Sequence, residues 1–399
     1  MKASILLGAG WENDSVEVLW RDAGRVFCRL WRNDAEGEKH AFIPIANAEE
    51  HPTLESVNRL THEHELKSYL DSAWALRPLE LVRERGQTML VVDYAGGEPL
   101  ERLVRQPMEI GQFLRLSVAL SGAIGQLHGR GLIHKDIKPA NVVVDSATGR
   151  VRLTGFGIAS RLPRERQSPE PPEFIAGTLA YMAPEQTGRV NRSIDSRSDL
   201  YALGVTFYEM LTGILPFTAS DPMEWVHCHI ARQATPISER LPDVPAAVSA
   251  ITMKLLSKTA EERYQTAAGV ERDLLHCLSQ WESRGSIDVF TLGAEDIPDR
   301  LMIPEKLYWR DREIDALLGN SNFRPTPKRT FGTAASIRIG CWELVERLPQ
   351  RSQMAVFEVA ESIADIVPIS ARTFVPVGFL DVSVTNCFFN ELLKAFAAC

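Results

Sequence analysis

A chain of 399 residues, 45% of them hydrophobic and 24% charged, is long enough for two or three domains with substantial cores. Its net charge of −8 gives no basic footprint, so neither nucleic acid nor an acidic membrane surface is an expected partner. No apolar run reaches the ~18 residues that span a bilayer, the N-terminal stretch turns polar at Trp11-Glu-Asn-Asp14, and six scattered cysteines form no C-x-x-C, so a cytoplasmic protein with reduced thiols is expected.

Two β-rich runs, 15–20 and 25–31, flank Arg21-Asp-Ala-Gly24 and predict a hairpin. The run 40–46 also reads as a strand, but Pro44 removes a ladder donor, which predicts an edge or broken strand. Residues 52–70 read as a helix carrying Glu63, and 88–95 as a buried strand entering Gly96-Gly97. From Glu109 to Arg130, the apolar residues Phe113, Leu116, Ala119, Leu120, Ile124 and Leu127 recur at helical spacing and predict a core helix. A second apolar helix is predicted within 196–217, with Gly213 at its end and Pro216 beyond. His227 and His229 stand two apart, which on a helix points them in different directions and argues against a metal pair.

The most informative stretch is Gly131-Leu-Ile-His-Lys-Asp-Ile-Lys-Pro-Ala-Asn-Val-Val-Val144, a turn, a polar loop and a short β-branched strand. His134, Asp136, Lys138 and Asn141 stand there at H-x-D-x-K-x-x-N spacing, the catalytic-loop pattern of phosphoryl transfer. An Asp in such a loop orients a hydroxyl and accepts its proton, a Lys two residues on neutralises charge on the phosphoryl group, and the Asn offers an oxygen to Mg²⁺.

Together with Gly155-Phe-Gly157 and Gly177-Thr-Leu-Ala-Tyr-Met-Ala-Pro-Glu185, this stretch resembles the eukaryotic-type Ser/Thr protein kinase family. The flanks resemble the kinase-like N-terminal region of bacterial hybrid sensor proteins, in which that region precedes an ATPase domain and a histidine kinase. The resemblance covers about residues 15–318 and is most specific from Gly131 to Arg263. It implies an α+β, two-lobe protein-kinase-like fold with a small β-rich lobe over 1–92 and a larger helical lobe over 93–282. Residues 283–318 are then a connector that comes to resemble the entry to an ATPase domain, although no G-x-x-x-x-G-K-[ST] follows, and 319–399 remain unassigned.

The resemblance also implies roles. Asp136 would be the base, Lys138 would contact the transferred phosphate, Thr178 would tie the substrate shelf to both, and Asn141 would bind Mg²⁺. ATP would lie under a Gly-rich loop ending at Gly24 and Val26, with Asp93 to Ala95 as the hinge that meets adenine through its backbone. Asp199 would hold catalytic-loop N–H groups, Glu185 and Arg263 would form a buried ion pair, and a phosphorylated Ser168 could meet Lys135. Three departures stand against this. Gly24 is the one glycine kept from the loop pattern, Pro44 or its neighbour stands where a phosphate-binding Lys is expected, and Gly155 replaces the metal-binding Asp. Glu63, the usual partner of that Lys, could equally be a solvated helix face. The expectation is a Ser/Thr-type kinase domain of bacterial signal transduction with weak or absent phosphotransfer and weak ATP and Mg²⁺ binding. The alternative is an active kinase with Asp136 as base. Its partner would be a protein substrate or a regulatory protein.

Overall fold

The computed structural model describes residues 17–22, 24–33, 39–49, 51–84, 87–94, 96–161, 164–165, 177–190 and 192–297. All lie in one compact unit, Met1–Leu307. The readings made for Ala95, Ser168 and residues 319–399 fall outside the described residues.

The upper lobe is a five-stranded antiparallel sheet in the order β1-β2-β3-β5-β4 with one helix. Strands β1 (Glu17–Asp22) and β2 (Arg25–Asn33) form the expected hairpin, with Gly24 at φ 79° in the turn. Strand β3 (Lys39–Asn47) differs from expectation, because it is an interior strand paired on both sides. Pro44 sits opposite Val91 of β5 (Gln87–Asp93) in an unbroken register. Toward β2 the register is also constant, but the two pairs between Phe27↔Ile45 and Leu30↔Phe42 are missing, so the ladder lapses where the proline has no N–H to give. Helix α1 (Leu54–Glu65) is N-capped by Thr53, whose hydroxyl accepts from the Ser56 N–H, and β4 (Pro78–Glu84) closes the sheet.

The lower lobe is built on helices α2 (Ile110–Gly129) and α3 (Ser196–Thr212). The Glu109 carboxylate caps α2 by accepting from the N–H groups of Gly111 and Gln112, and Phe113, Leu116, Leu120, Ile124 and Leu127 are buried as their spacing requires. Helix α3 is buried on nearly every side. Helices α4 (Pro222–Ile230), α5 (Ile237–Arg240), α6 (Ala246–Leu255) and α7 (Ala267–Arg284) complete the lobe. A small sheet, β6 (Glu98–Pro99), β7 (Val142–Asp145) and β8 (Arg150–Leu153), lies where the chain passes from one lobe to the other.

Residues 285–297, read from sequence as part of a connector, pack onto this lobe. The Asp296 carboxylate accepts from the N–H and hydroxyl of Thr266 and from the N–H of Gln265, at the start of α7. Leu292 and Phe290 join the rim of the main core. Among the described residues no helix is long and apolar enough to cross a membrane.

Candidate active site

The catalytic-loop stretch links α2 to β7, and its backbone is held from below by one carboxylate. Asp199, fully buried at the start of α3, accepts from the N–H groups of His134 and Lys135, both at 2.8 Å, and meets His128 Nε2 at 2.9 Å. Lys135 has φ 68°, a conformation that costs a non-glycine residue energy and that these two bonds hold in place. Burial alone would raise the Asp199 pKa, but the His128 and His134 contacts together keep it below the ordinary carboxylate value. Glu185 and Arg263 form the expected buried pair, bidentate at 2.7 and 2.9 Å.

On this base the polar residues converge. Asp136 accepts from the Thr178 backbone N–H at 3.0 Å and from Asn141 Nδ2 at 2.8 Å. Lys138 Nζ donates to Thr178 Oγ1 at 3.0 Å and lies 3.7 Å from Asp136 Oδ2. Asp136, Lys138, Asn141 and Thr178 are therefore one cluster, and Thr178 reaches the Asp through its backbone rather than its hydroxyl. A cleft of about 280 Å³ opens beside it, lined by Arg25, Glu63, Asp136 and Gly155 among others.

The metal corner is occupied differently from expectation. Gly155 has φ 83°, and a Cβ built on it would lie 2.5 Å from Asn141 Oδ1, so the Asn141 carboxamide fills the space of the missing side chain. Asn141 Nδ2 is committed to Asp136, while Oδ1 accepts from Arg25 Nη2 at 2.8 Å. A guanidinium, which can only donate, thus sits on the oxygen that a divalent cation would need. Among the described residues Asp136 is the carboxylate bonded to Asn141, the nearby Asp22 and Glu63 face Arg25, and with that guanidinium on Asn141 Oδ1 the residues do not fit Mg²⁺.

Asp22 and Arg25 carry no motif, and sequence reasoning missed both. They flank Gly24 and pair at 2.8 Å. Asp22 also meets Lys138 Nζ at 3.1 Å, and burial raises its pKa less than Lys138 and Arg25 together lower it. Arg25 Nη1 lies 4.0 Å from Glu63, which is buried and accepts the Gly155 N–H at 3.2 Å, so Glu63 is not a solvated face. Strand alternation was the available signal, since Arg25 and Phe27 share the face of β2 that turns toward Asn141. By the same alternation Val26, which is buried, lies on the opposite face of β2 from Arg25 and Phe27. Gly24 lines the cleft, but its role in the fold is the turn.

At the hinge, the Asp93 N–H donates to Arg77 O at 3.0 Å and its carboxylate accepts from Ser72. That N–H is therefore already committed, and the Asp93 side chain serves the fold. His229 is buried with one ring nitrogen 3.0 Å from the Tyr201 hydroxyl and the other 2.8 Å from Leu179 O, so neither is left for a metal.

Comparison with known proteins agrees with this architecture. Residues 24–275, more than half of the chain, match the protein kinase domain. The Ser/Thr protein kinase PknB of Mycobacterium tuberculosis is 36% identical over 188 residues, 47% of this chain and 30% of that protein. A probable Ser/Thr protein kinase of Corynebacterium efficiens, CE0033, is 31% identical over 227 residues, 55% of this chain and 33% of its own. The hybrid signal transduction histidine kinase G of Dictyostelium discoideum is 27% identical over 298 residues, 53% of this chain and 9% of that protein. The chain spans a third or less of the length of these relatives. With the two-lobe α+β fold and the assembled catalytic loop, these matches establish that the chain belongs to the eukaryotic-type Ser/Thr protein kinase family.

Proposed function

We propose that this chain is a protein-kinase-fold module of bacterial signal transduction that transfers phosphate weakly or not at all, and that it acts by binding a regulatory protein. The observation that carries this reading is the Arg25 guanidinium on Asn141 Oδ1, facing Gly155 where a metal carboxylate is absent. Members of this family use ATP and Mg²⁺, and phosphoryl transfer depends on charge neutralisation by the metal and by cationic side chains. A single such electrostatic donor is worth roughly 3–4 kcal/mol of barrier. Pro44 removes the strand cation, Gly155 the metal carboxylate, and the hairpin lacks a glycine cradle. The losses overlap, yet together they amount to several decades of rate. Weak binding of ATP that Mg²⁺ hardly improves follows from the same residues.

A second reading, an active Ser/Thr kinase acting on protein hydroxyls with Asp136 as base, is favoured by one observation. Asp136, Lys138 and Thr178 are assembled within hydrogen-bonding reach of one another. Radiolabelled ATP transfer by the purified full-length chain, with Asp136→Asn as control, separates the two. No label above that control is expected. Label that depends on Asp136 would establish the second reading.

A further inference from the structure

The β1–β2 hairpin lays two charged side chains directly on the catalytic loop. Asp22 brings a carboxylate to 3.1 Å from Lys138 Nζ, the cation that the catalytic-loop pattern assigns to a phosphoryl oxygen. Arg25 brings a cation to 2.8 Å from Asn141 Oδ1 and to 4.0 Å from Glu63. Negative charge therefore stands where a phosphate anion would contact the loop, and positive charge where a metal would contact it. Both side chains are at least four-fifths buried, and they are bonded to each other as well.

Deeper in the same face, Trp20 stacks on Phe27 with ring centroids 4.5 Å apart and an interplanar angle of 16°. Both belong to one buried cluster with Val92 at the end of β5 and Val143 of β7. Trp20 and Phe27 therefore pack in one core with the end of β5 and with β7, the elements between which the hinge is reached from the catalytic loop. Arg25 lies over the Phe27 ring at 5.3 Å, so the charged and aromatic contacts form one continuous surface. The Trp20 indole N–H has no acceptor among the described residues. An open hairpin would give it water, which makes the closed form displaceable.

We propose that the β1–β2 hairpin is the built-in occupant of the space directly above the catalytic loop, beside the open cleft on the α1 side, with Asp22 in place of a phosphate anion on Lys138, Arg25 in place of a metal on Asn141, and Trp20 with Phe27 in place of a base. This rests on the reading of a weak or absent phosphotransferase and adds to it the means by which the site is kept shut. A phosphate chain enters only by displacing the Asp22 carboxylate, and it gains little from carrying either a metal or a nucleoside.

The experiment measures binding of inorganic tripolyphosphate and of ATP, each in EDTA and in Mg²⁺, to the full-length chain and to Asp22→Asn. Asp22→Asn removes the nearer of the two carboxylates beside Lys138, leaving Asp136 at 3.7 Å, without changing side-chain size. It is expected to bind tripolyphosphate in EDTA at least about tenfold more tightly than the unaltered protein, the effect of one charge-assisted hydrogen bond. ATP should bind no better than tripolyphosphate. Equal tripolyphosphate affinity in the two proteins would overturn the proposal for Asp22, and a tenfold preference for ATP would overturn it for Trp20 and Phe27. Hydrogen exchange of residues 17–22 supplies an independent measure should Asp22→Asn fold poorly. In Lys138→Gln that segment is expected to exchange faster while α3 is unchanged, and unchanged protection of 17–22 would overturn the proposal. These failures leave the reading of weak phosphotransfer standing, because that rests on Arg25 at Asn141 Oδ1, on Gly155 and on Pro44, and none of these binding or exchange measurements probes those residues. Label transfer in the ATP assay would remove that reading by a separate measurement.

Discussion

The floor of the site and its roof obey different constraints. Below the catalytic loop, Asp199 meets two backbone donors and His128, and the Glu185–Arg263 pair is bidentate and buried. Above it, the β2–β3 ladder lapses at a proline, Gly155 leaves a gap that the Asn141 carboxamide fills, and an arginine from the hairpin sits on that carboxamide. The floor carries fixed, paired charges that the fold itself requires, because an unpaired charge or orphaned N–H inside the lobe is costly. The roof carries groups that only a bound phosphate and metal would require. On the proposed reading, weak phosphotransfer is therefore compatible with an intact shelf.

The sharpest way to break this comparison is Arg263→Met, which leaves Glu185 buried without its partner. It should cost about 3–5 kcal/mol in urea denaturation. A loss below 1 kcal/mol would mean that the floor is not held by its charges. Substitutions in the roof such as Pro44→Lys should be far milder.

Acid should also reach the floor first. Burial, the neighbouring Lys258 and a net cost unrelieved by the Leu179 contact push the His229 pKa down to about 4. The unfolded chain takes up that proton near pH 6.5 and the folded one does not, so stability is full above pH 6.5 and is lost as pH falls toward 4. The loss should approach 3 kcal/mol at most, read as a pH-dependent Tm that His229→Gln flattens. A pH-independent Tm over this window in the unaltered protein would contradict the burial of His229.

Asp199→Ala removes the acceptor from the His134 and Lys135 N–H groups. An expected loss of about 1–3 kcal/mol follows from unsatisfied buried donors, and it should appear as faster amide exchange in the loop 132–136. No change in either measurement would show that the floor is assembled without this carboxylate.

Gly155→Asp tests the roof. Its φ of 83° and the Asn141 carboxamide 2.5 Å from a new Cβ make the change unfavourable by about 1–2 kcal/mol. Sequence alone makes this substitution look like a simple return of the missing metal charge. With Arg25 on Asn141, no Mg²⁺-dependent gain in ATP affinity is expected from Gly155→Asp by itself. The gain should emerge when Arg25→Ala is added, and titration with and without Mg²⁺ distinguishes the cases.

The smallest effect is expected at Asp296, whose carboxylate holds Gln265 and the α7 cap residue Thr266 from a segment that sequence assigned to a connector. Asp296→Ala should cost about 1 kcal/mol, as loss of a partly buried hydrogen-bond acceptor does. Limited proteolysis should then cut within 285–297, a segment resistant in the unaltered protein.

Sequence by itself determined the lower lobe and the catalytic loop. Helical spacing placed α2 and α3, the H-x-D-x-K-x-x-N offsets placed Asp136, Lys138 and Asn141, and Gly155-Phe-Gly157 kept the register of the metal corner. These are signals at short sequence range, where spacing and side-chain chemistry are enough. Tertiary structure decided the rest. Arg25 and Asn141 are 116 residues apart, as are Asp22 and Lys138, and Glu63 and Gly155 are 92 apart, so no local pattern could bring them together. Pro44 could enter an interior strand because β5 keeps an unbroken register on one side while the ladder to β2 lapses on the other, a compensation available only once both neighbours are in place. Asp296 reached α7 for the same reason, since a carboxylate finds orphaned N–H groups across space and not along the chain.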